Sequence, residues 1–132
     1  MSFRCALFLG AVLAAAAPMR GQDSWTPFFR FLAGKWEGKA VGKPGIGSAT
    51  REYRFELNGR FLVGRNRAVY PPKPQRAEPE MHEDWSIFSY DRMGKKFVLR
   101  QFHVEGFVNE YSSLNLQPDP RDGIEFVTDR IE

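Results

Sequence analysis

Short segments in which apolar and polar residues alternate follow one another through most of this chain, separated by turn residues. In residues 49–57 the apolar side chains of Tyr53 and Phe55 alternate with charged ones. This period of two predicts a β-strand with one buried face. The next dipeptide, Asn58-Gly59, favours a tight hairpin because both residues readily adopt the positive φ that such turns need. A two-residue loop there is expected to pair Phe55 with Leu62 and Tyr53 with Gly64. The chain is therefore expected to fold as an antiparallel sheet.

The pattern predicts seven strands. They are residues 35–41, 49–57, 60–70, 81–90, 96–104, 107–116 and 124–131. Short turns between successive strands predict up-and-down order, and such sheets usually close because closure removes the exposed edges. The predicted fold class is all-β, an antiparallel up-and-down β-barrel of the calycin or lipocalin kind. Since the sequence stops within the last strand, this barrel is expected to be incomplete at its C-terminus.

The N-terminus has the features of a secretory signal peptide over residues 1–16. Arg4 precedes an apolar run that is too short to span a bilayer, and the small side chain of Ala16 suits cleavage after it. We therefore expect an exported protein, periplasmic or extracellular. Residues 17–33 form an N-terminal segment with a short helix, predicted from the cap-like Ser24 and the later Gly34. Residues 34–132 form the barrel domain.

Cysteine content and charge exclude several function classes. Cys5 is the only cysteine and lies in the leader, so the mature chain has no disulfide, thiolate metal site or cysteine nucleophile. The formal net charge is +3, with basic and acidic residues interleaved. This pattern predicts neither a nucleic-acid nor a membrane-surface footprint, and no later segment is predicted to span a membrane.

Three sequence blocks resemble known β-barrel families. Gly34-Lys35-Trp36 matches the Gly-x-Trp signature of lipocalins and related calycin barrels. The longer GKWEGKAVG resembles the opening of nitrobindin-type haem-binding barrels. The blocks EYRFELNGRFL and HEDWSIFSYD…FVLRQFHVEGFVNEY are similar to a bacterial family of exported barrels with no assigned function. The resemblance implies a ligand-binding barrel with Trp36 plugging one end. It also implies haem as a possible cofactor, held by a C-terminal histidine that matches no position here.

The second predicted hairpin suggests where a ligand would bind. A four-residue loop at 92–95 places Phe88 opposite Leu99 and Asp84 opposite His103, giving one face an aromatic half and a polar half. The candidate ligand-lining residues are Tyr53, Phe55, Leu62, Asp84, Phe88, Phe97, Leu99, Gln101 and His103. His103, oriented by the Asp84 carboxylate, is the expected polar anchor. The alternation equally permits the opposite arrangement, in which Trp85 and its neighbours face inward and the polar row faces solvent.

These features predict a barrel that carries a small apolar or amphipathic ligand without catalysis. One alternative is a small exported enzyme that uses Asp84 and His103 as an acid/base pair, although no nucleophile elbow surrounds Ser86. Another is an interaction module that accepts a partner strand at an open sheet edge. His82 with Asp84 and His103 could form a weak metal site, but polar residues on strands are usually just solvated, so no metal is predicted.

Overall fold

The computed structural model describes residues 25–114, 118 and 120–132, and it contains a short helix and a seven-stranded sheet. The elements are α1 (Pro27–Leu32), β1 (Gly34–Gly42), β2 (Gly45–Glu56), β3 (Phe61–Tyr70), β4 (Glu80–Asp91), β5 (Lys96–His103), β6 (Val108–Ser113) and β7 (Phe126–Ile131). Every strand is antiparallel to the next, in the order β1 to β7. The predicted antiparallel up-and-down sheet is therefore confirmed. The predicted signal peptide lies outside the described residues.

Helix α1 begins at a proline. Pro27 occupies the first turn, where its missing N–H is not needed, and Thr26 precedes it in extended conformation as the N-cap. The sequence suggested Ser24 as the cap, and that residue lies outside the described part of the chain. In the described residues, no helix has the length and apolar character required to cross a membrane.

The first hairpin is longer than the sequence predicted. The glycine-rich segment after Val41 was expected to be a loop, but β2 already begins at Gly45. Gly42 pairs with Gly45, and farther along β2 Ser48 pairs with Val69 of β3. Residues 45–47 pair with β1 alone, and this pairing overrides the weak intrinsic preference of glycine for extended structure.

The registers predicted for two hairpins are confirmed. Phe55 pairs with Leu62 in the β2–β3 hairpin, and Asp84 pairs with His103 in the β4–β5 hairpin. The turn between β2 and β3 is wider than the predicted two-residue loop, because Leu57 has positive φ (50°) as do the two residues after it. Each register puts alternate residues on one face, so these pairings decide which side chains can meet.

The sheet curls strongly. Phe88 of β4 and Phe126 of β7 have ring centroids 6.0 Å apart, although β5 and β6 lie between their strands. A flat sheet would hold such strands about 14 Å apart at the usual spacing. We call the face that these two rings share the concave face. The sheet is not closed, because β1 and β7 form its two edges rather than pairing with each other.

The core lies between α1 and the concave face. Its buried residues are Trp25, Phe29, Leu62, Phe88 and Phe97. Phe29 is fully buried, with its ring centroid 4.6 Å from that of Phe97 and 5.5 Å from that of Phe88. The Trp25 indole N–H donates a 2.6 Å hydrogen bond to the carbonyl of Gly59, which fixes the segment before α1 to the β2–β3 turn. The N-terminal segment thus covers one end of the concave face.

Removing the Phe29 ring is expected to destabilise the fold strongly. Phe29→Ala leaves a cavity between α1 and the sheet and should lower the free energy of unfolding by about 3–5 kcal/mol. Phe31, also on α1 but 55% exposed, provides the matched control, and Phe31→Ala should change that free energy by less than about 1 kcal/mol. Urea denaturation measures both. Equal losses would contradict the role of Phe29 as the main helix-to-sheet contact.

A second prediction concerns Gly64, which lies opposite Tyr53. A Cβ atom at Gly64 would lie 2.4 Å from Cε1 of the Tyr53 ring, so Gly64→Ala forces that ring to move. We expect a loss of about 1–3 kcal/mol in unfolding free energy. Gly38→Ala is the control because no atom lies within 4 Å of its added Cβ, and it should leave stability unchanged or raise it by up to about 1 kcal/mol. Thermal unfolding of both variants tests the difference.

Candidate ligand-binding cleft

A cleft of about 310 Å³ opens on the concave face beside α1. It is lined by Phe28, Leu32, Arg51, Tyr53, Asn66, Asp84, Ser86, Phe88, Leu99, Gln101, Ile124 and Phe126. These residues come from the helix, from β2 to β5, and from β7 and the loop before it. Ligand pockets usually measure about 300–1,000 Å³, so the cleft suits a small molecule.

One half of the cleft is apolar. The ring centroids of Tyr53 and Phe88 lie 6.4 Å apart, and the Phe126 ring of β7 lies 6.0 Å from that of Phe88. Phe28 and Leu32 of α1 complete this half from above. The apolar half therefore continues the core outwards to the opening.

The other half is a chain of hydrogen-bonded polar side chains across four strands. Arg51 Nε donates to Asn66 Oδ1 (3.0 Å), and Asn66 Nδ2 donates to Asp84 Oδ2 (2.6 Å). From the other side, Gln101 Nε2 donates to Ser86 Oγ and Ser86 Oγ donates to Asp84 Oδ1, both at 3.4 Å. Donors thus converge on the Asp84 carboxylate from both directions. The bonds hold the polar groups at fixed positions beside the apolar half.

Five residues predicted from the sequence to contact a ligand line this cleft: Tyr53, Asp84, Phe88, Leu99 and Gln101. The two possible faces of the β4–β5 hairpin are now distinguished. The mixed aromatic and polar face is turned inward, whereas Trp85 and Phe102 on the other face are 51% and 40% exposed.

Three further predicted residues lie on the concave face but under the N-terminal segment. Leu62 is fully buried, Phe97 packs against Phe29, and the Phe55 ring meets the Trp25 ring at 5.4 Å. They support the end of the cleft from the core and do not line it.

His103 does not lie in the cleft, although its pairing with Asp84 is as predicted. Its ring stacks on Phe107 with centroids 4.2 Å apart, and Asn109 Nδ2 contacts its Nε2 at 3.3 Å. The Asp84 oxygens are hydrogen-bonded to Asn66 and Ser86 instead. The polar side of the cleft is formed by the hydrogen-bonded row that ends at Arg51, and His103 is not part of it.

Trp36 differs from the expected buried plug. Its side chain is 39% exposed, its indole N–H donates to the carbonyl of Leu32 (2.7 Å), and its ring lies 5.2 Å from that of Phe31. It therefore caps the C-terminal end of α1 on the edge strand. The tryptophan that fills the core is Trp25, which is 5% exposed.

His82, the other histidine, is held between two carboxylates outside the cleft. Its Nε2 lies 2.7 Å from Glu80 and its Nδ1 lies 3.3 Å from Glu105. Glu80 also forms an ion pair with Arg76 of the preceding loop. Within the described residues, no group of three histidine, cysteine or acidic side chains is placed to hold a metal ion.

Sequence reasoning missed the residues that α1 and the curl bring to the cleft. Phe28 and Phe126 lie far from the β4–β5 hairpin along the chain, and only the tertiary curl places them beside Phe88. The pairing of Arg51 with Asn66 could have been found, because it follows from the predicted hairpin at Asn58-Gly59. The pairing of Asn66 with Asp84 could not, because a long loop separates β3 from β4 and leaves their register open.

A larger depression, of about 450 Å³, lies mainly over the convex face and is lined mostly by charged residues. Two of its arginines already have partners there, and a third, Arg51, also lines the concave cleft. The Arg65 guanidinium lies 5.0 Å from the centre of the Trp85 ring, and Arg67 Nε lies 3.3 Å from Glu83. We therefore consider the concave cleft, with its apolar half, to be the candidate site.

No protein-family model, curated protein or solved structure matches this sequence. The resemblance to nitrobindin-type and exported barrels therefore stays a prediction from its motifs, and the argument for function comes from the cleft itself.

The carboxyl of Glu105 provides a pH test of the corner between β5 and β6. Its own backbone N–H, and next the hydrogen bond and charge of His82, hold the pKa of Glu105 below its ordinary value. A carboxyl whose pKa is lower in the folded than in the unfolded chain stabilises the fold at pH values above the unfolded pKa. This stabilisation is lost as the pH falls through the lower, folded-state pKa. NMR titration should show the low midpoint, and His82→Ala should raise it only in part because the backbone bond remains. A full return to the ordinary pKa would contradict this order of causes.

Proposed function

We propose that the protein binds a small amphipathic molecule in the concave cleft and does not transform it. The observation that carries the proposal is the division of one cleft into an apolar half around Phe88 and a hydrogen-bonded polar half around Asp84. An apolar ligand body gains about 25 cal/mol for each Å² removed from water, and a few fixed polar groups orient its head.

We further propose that the curled sheet belongs to a calycin-type barrel, and that the protein is exported after removal of residues 1–16. The up-and-down order, the strong curl and the Gly-x-Trp signature at the start of β1 support the barrel. The charged start, apolar run and small residues of the leader support export.

Haem is not part of the proposal, because the cleft lacks the ligand that the resemblance implies. The chain has two histidines, and neither lines the cleft. His82 contacts Glu80 and Glu105, and His103 stacks on Phe107. The described residues therefore do not fit a histidine-ligated haem at this position.

The structure gives less support to the two alternative functions, the enzyme and the interaction module. An acid/base pair needs a hydrogen bond between Asp84 and His103, and the carboxylate is bonded elsewhere. Strand addition needs an edge strand that can pair with a partner strand. Lys35 and Lys39 lie on edge strand β1, and charged residues on an edge strand oppose such pairing.

Filling the cleft should weaken ligand binding. The neutral fluorophore N-phenyl-1-naphthylamine should brighten on binding the protein, and Leu99→Trp should weaken its affinity by at least about tenfold because the indole occupies the apolar half. The measurement is a fluorescence titration.

Arg100→Trp is the matched control for this experiment. It places the same indole one residue along β5 on the convex face, where the Arg100 side chain is 45% exposed. Its affinity for the fluorophore should stay within about twofold of the original. The proposal would be wrong if the unmodified protein does not bind the fluorophore, or if both substitutions weaken binding equally.

A further inference from the structure

We propose that Arg51 binds the head group of the ligand and that this head carries a single negative charge on a carboxylate-type group. The inference rests on the proposed function and names the ligand class of the same cleft. It comes from the position of Arg51, from its hydrogen bonds and from the charge beside it.

Arg51 has an unusual position among the basic residues of the seven described strands. The registers place Arg51 on the concave face, directly opposite Trp36 and Asn66. The other lysines and arginines of these strands alternate onto the convex face: Lys35, Lys39, Arg54, Arg65, Arg67, Lys96, Arg100 and Arg130. Within the described strands, an anionic group entering the cleft from this face therefore meets one guanidinium.

The guanidinium of Arg51 is oriented and still has hydrogen-bonding capacity. Its Nε donates to Asn66 Oδ1 at 3.0 Å, and Asn66 is itself fixed by its 2.6 Å bond to Asp84. The described ion pairs involve other arginines and not Arg51. Its two terminal nitrogens are thus free to form the paired hydrogen bonds that a planar guanidinium makes with a carboxylate.

Asp84 limits the charge of the head group. Asn66 alone separates the Asp84 carboxylate from Arg51, because it is hydrogen-bonded to both. The negative charge of Asp84 therefore offsets the positive charge of Arg51 before a ligand binds. A monoanionic head gains the charge-assisted bonds to Arg51 and leaves one excess negative charge. A dianionic phosphate would leave two, and like charges in a partly desolvated cleft repel each other strongly. A carboxylate on an apolar body therefore fits better than a phosphate monoester.

The test compares ligands with the same ten-carbon body and different heads. Decanoate, decan-1-ol and decyl phosphate compete with N-phenyl-1-naphthylamine for the protein at neutral pH and low salt. The protein should prefer decanoate to decan-1-ol by at least about tenfold, since hydrogen bonds to charged groups are the stronger kind. Decyl phosphate should bind more weakly than decanoate.

For each variant the measured quantity is the ratio of its affinity for decanoate to its affinity for decan-1-ol. A substitution that weakens the binding of both ligands equally leaves this ratio unchanged. Arg51→Gln should reduce that ratio to about one, and Arg51→Lys should leave an intermediate ratio because it keeps the charge without the planar fork. Arg54→Gln is the matched control, since Arg54 is an arginine three residues along β2 on the convex face. It should keep the full ratio. Added salt should lower the ratio of the unmodified protein.

The outcomes separate the two proposals. The Arg51 inference is wrong, and the cleft proposal stands, if the protein binds the fluorophore but does not prefer decanoate to decan-1-ol. The same holds if the Arg51→Gln variant still prefers decanoate. Stronger binding of decyl phosphate than of decanoate would overturn the monoanionic head. If neither the fluorophore nor decanoate binds the unmodified protein, both proposals are wrong.

Discussion

The packing of Phe29 against Phe88 and Phe97 is the contact on which the rest of the structure depends. A curled sheet of seven strands has a concave face that must be filled, and α1 fills one end of it with aromatic rings. The remaining space beside the helix is the cleft. Because the buried rings of the core continue into the apolar half through Phe88, stability and the proposed ligand binding depend on the same surface. The position of the helix therefore decides where the cleft opens and how large it is.

The polar half is stable on the concave face because its members are bonded to one another. A buried carboxylate or amide without a partner is strongly unfavourable, whereas one that is fully hydrogen-bonded is not. Asp84 accepts from both sides, and the 8% exposed Ser86 is both donor and acceptor. Each link joins residues that the sheet registers place on one face. The antiparallel pairing thus turns separate polar residues into a single row.

The sequence was sufficient to predict the strands and two of the registers, because period-two alternation and turn dipeptides are local signals. Asp84 and His103 pair as the four-residue loop requires, and Tyr53 meets Gly64 as the Asn58-Gly59 turn requires. Alternation says which residues share a face, but it does not say which face is buried. That choice depends on where α1 docks, and docking is a contact between segments distant in sequence. For the same reason the Gly-x-Trp motif points to Trp36 as the plug, whereas the tryptophan that is buried in the core is Trp25.

The two faces of the sheet balance their charges in different ways. On the convex face, cations pair with carboxylates of that face, as Arg100 does with Glu110 (2.6 Å) and Arg67 does with Glu83 (3.3 Å). On the concave face, Arg51 is held by a neutral amide and reaches the Asp84 charge only through it. A void left by imperfect packing would be lined by apolar atoms alone, because polar groups without bonds are selected against there. A cleft that adds an oriented guanidinium to an apolar wall differs from such a void, and this difference supports the proposal that it binds an anionic amphiphile.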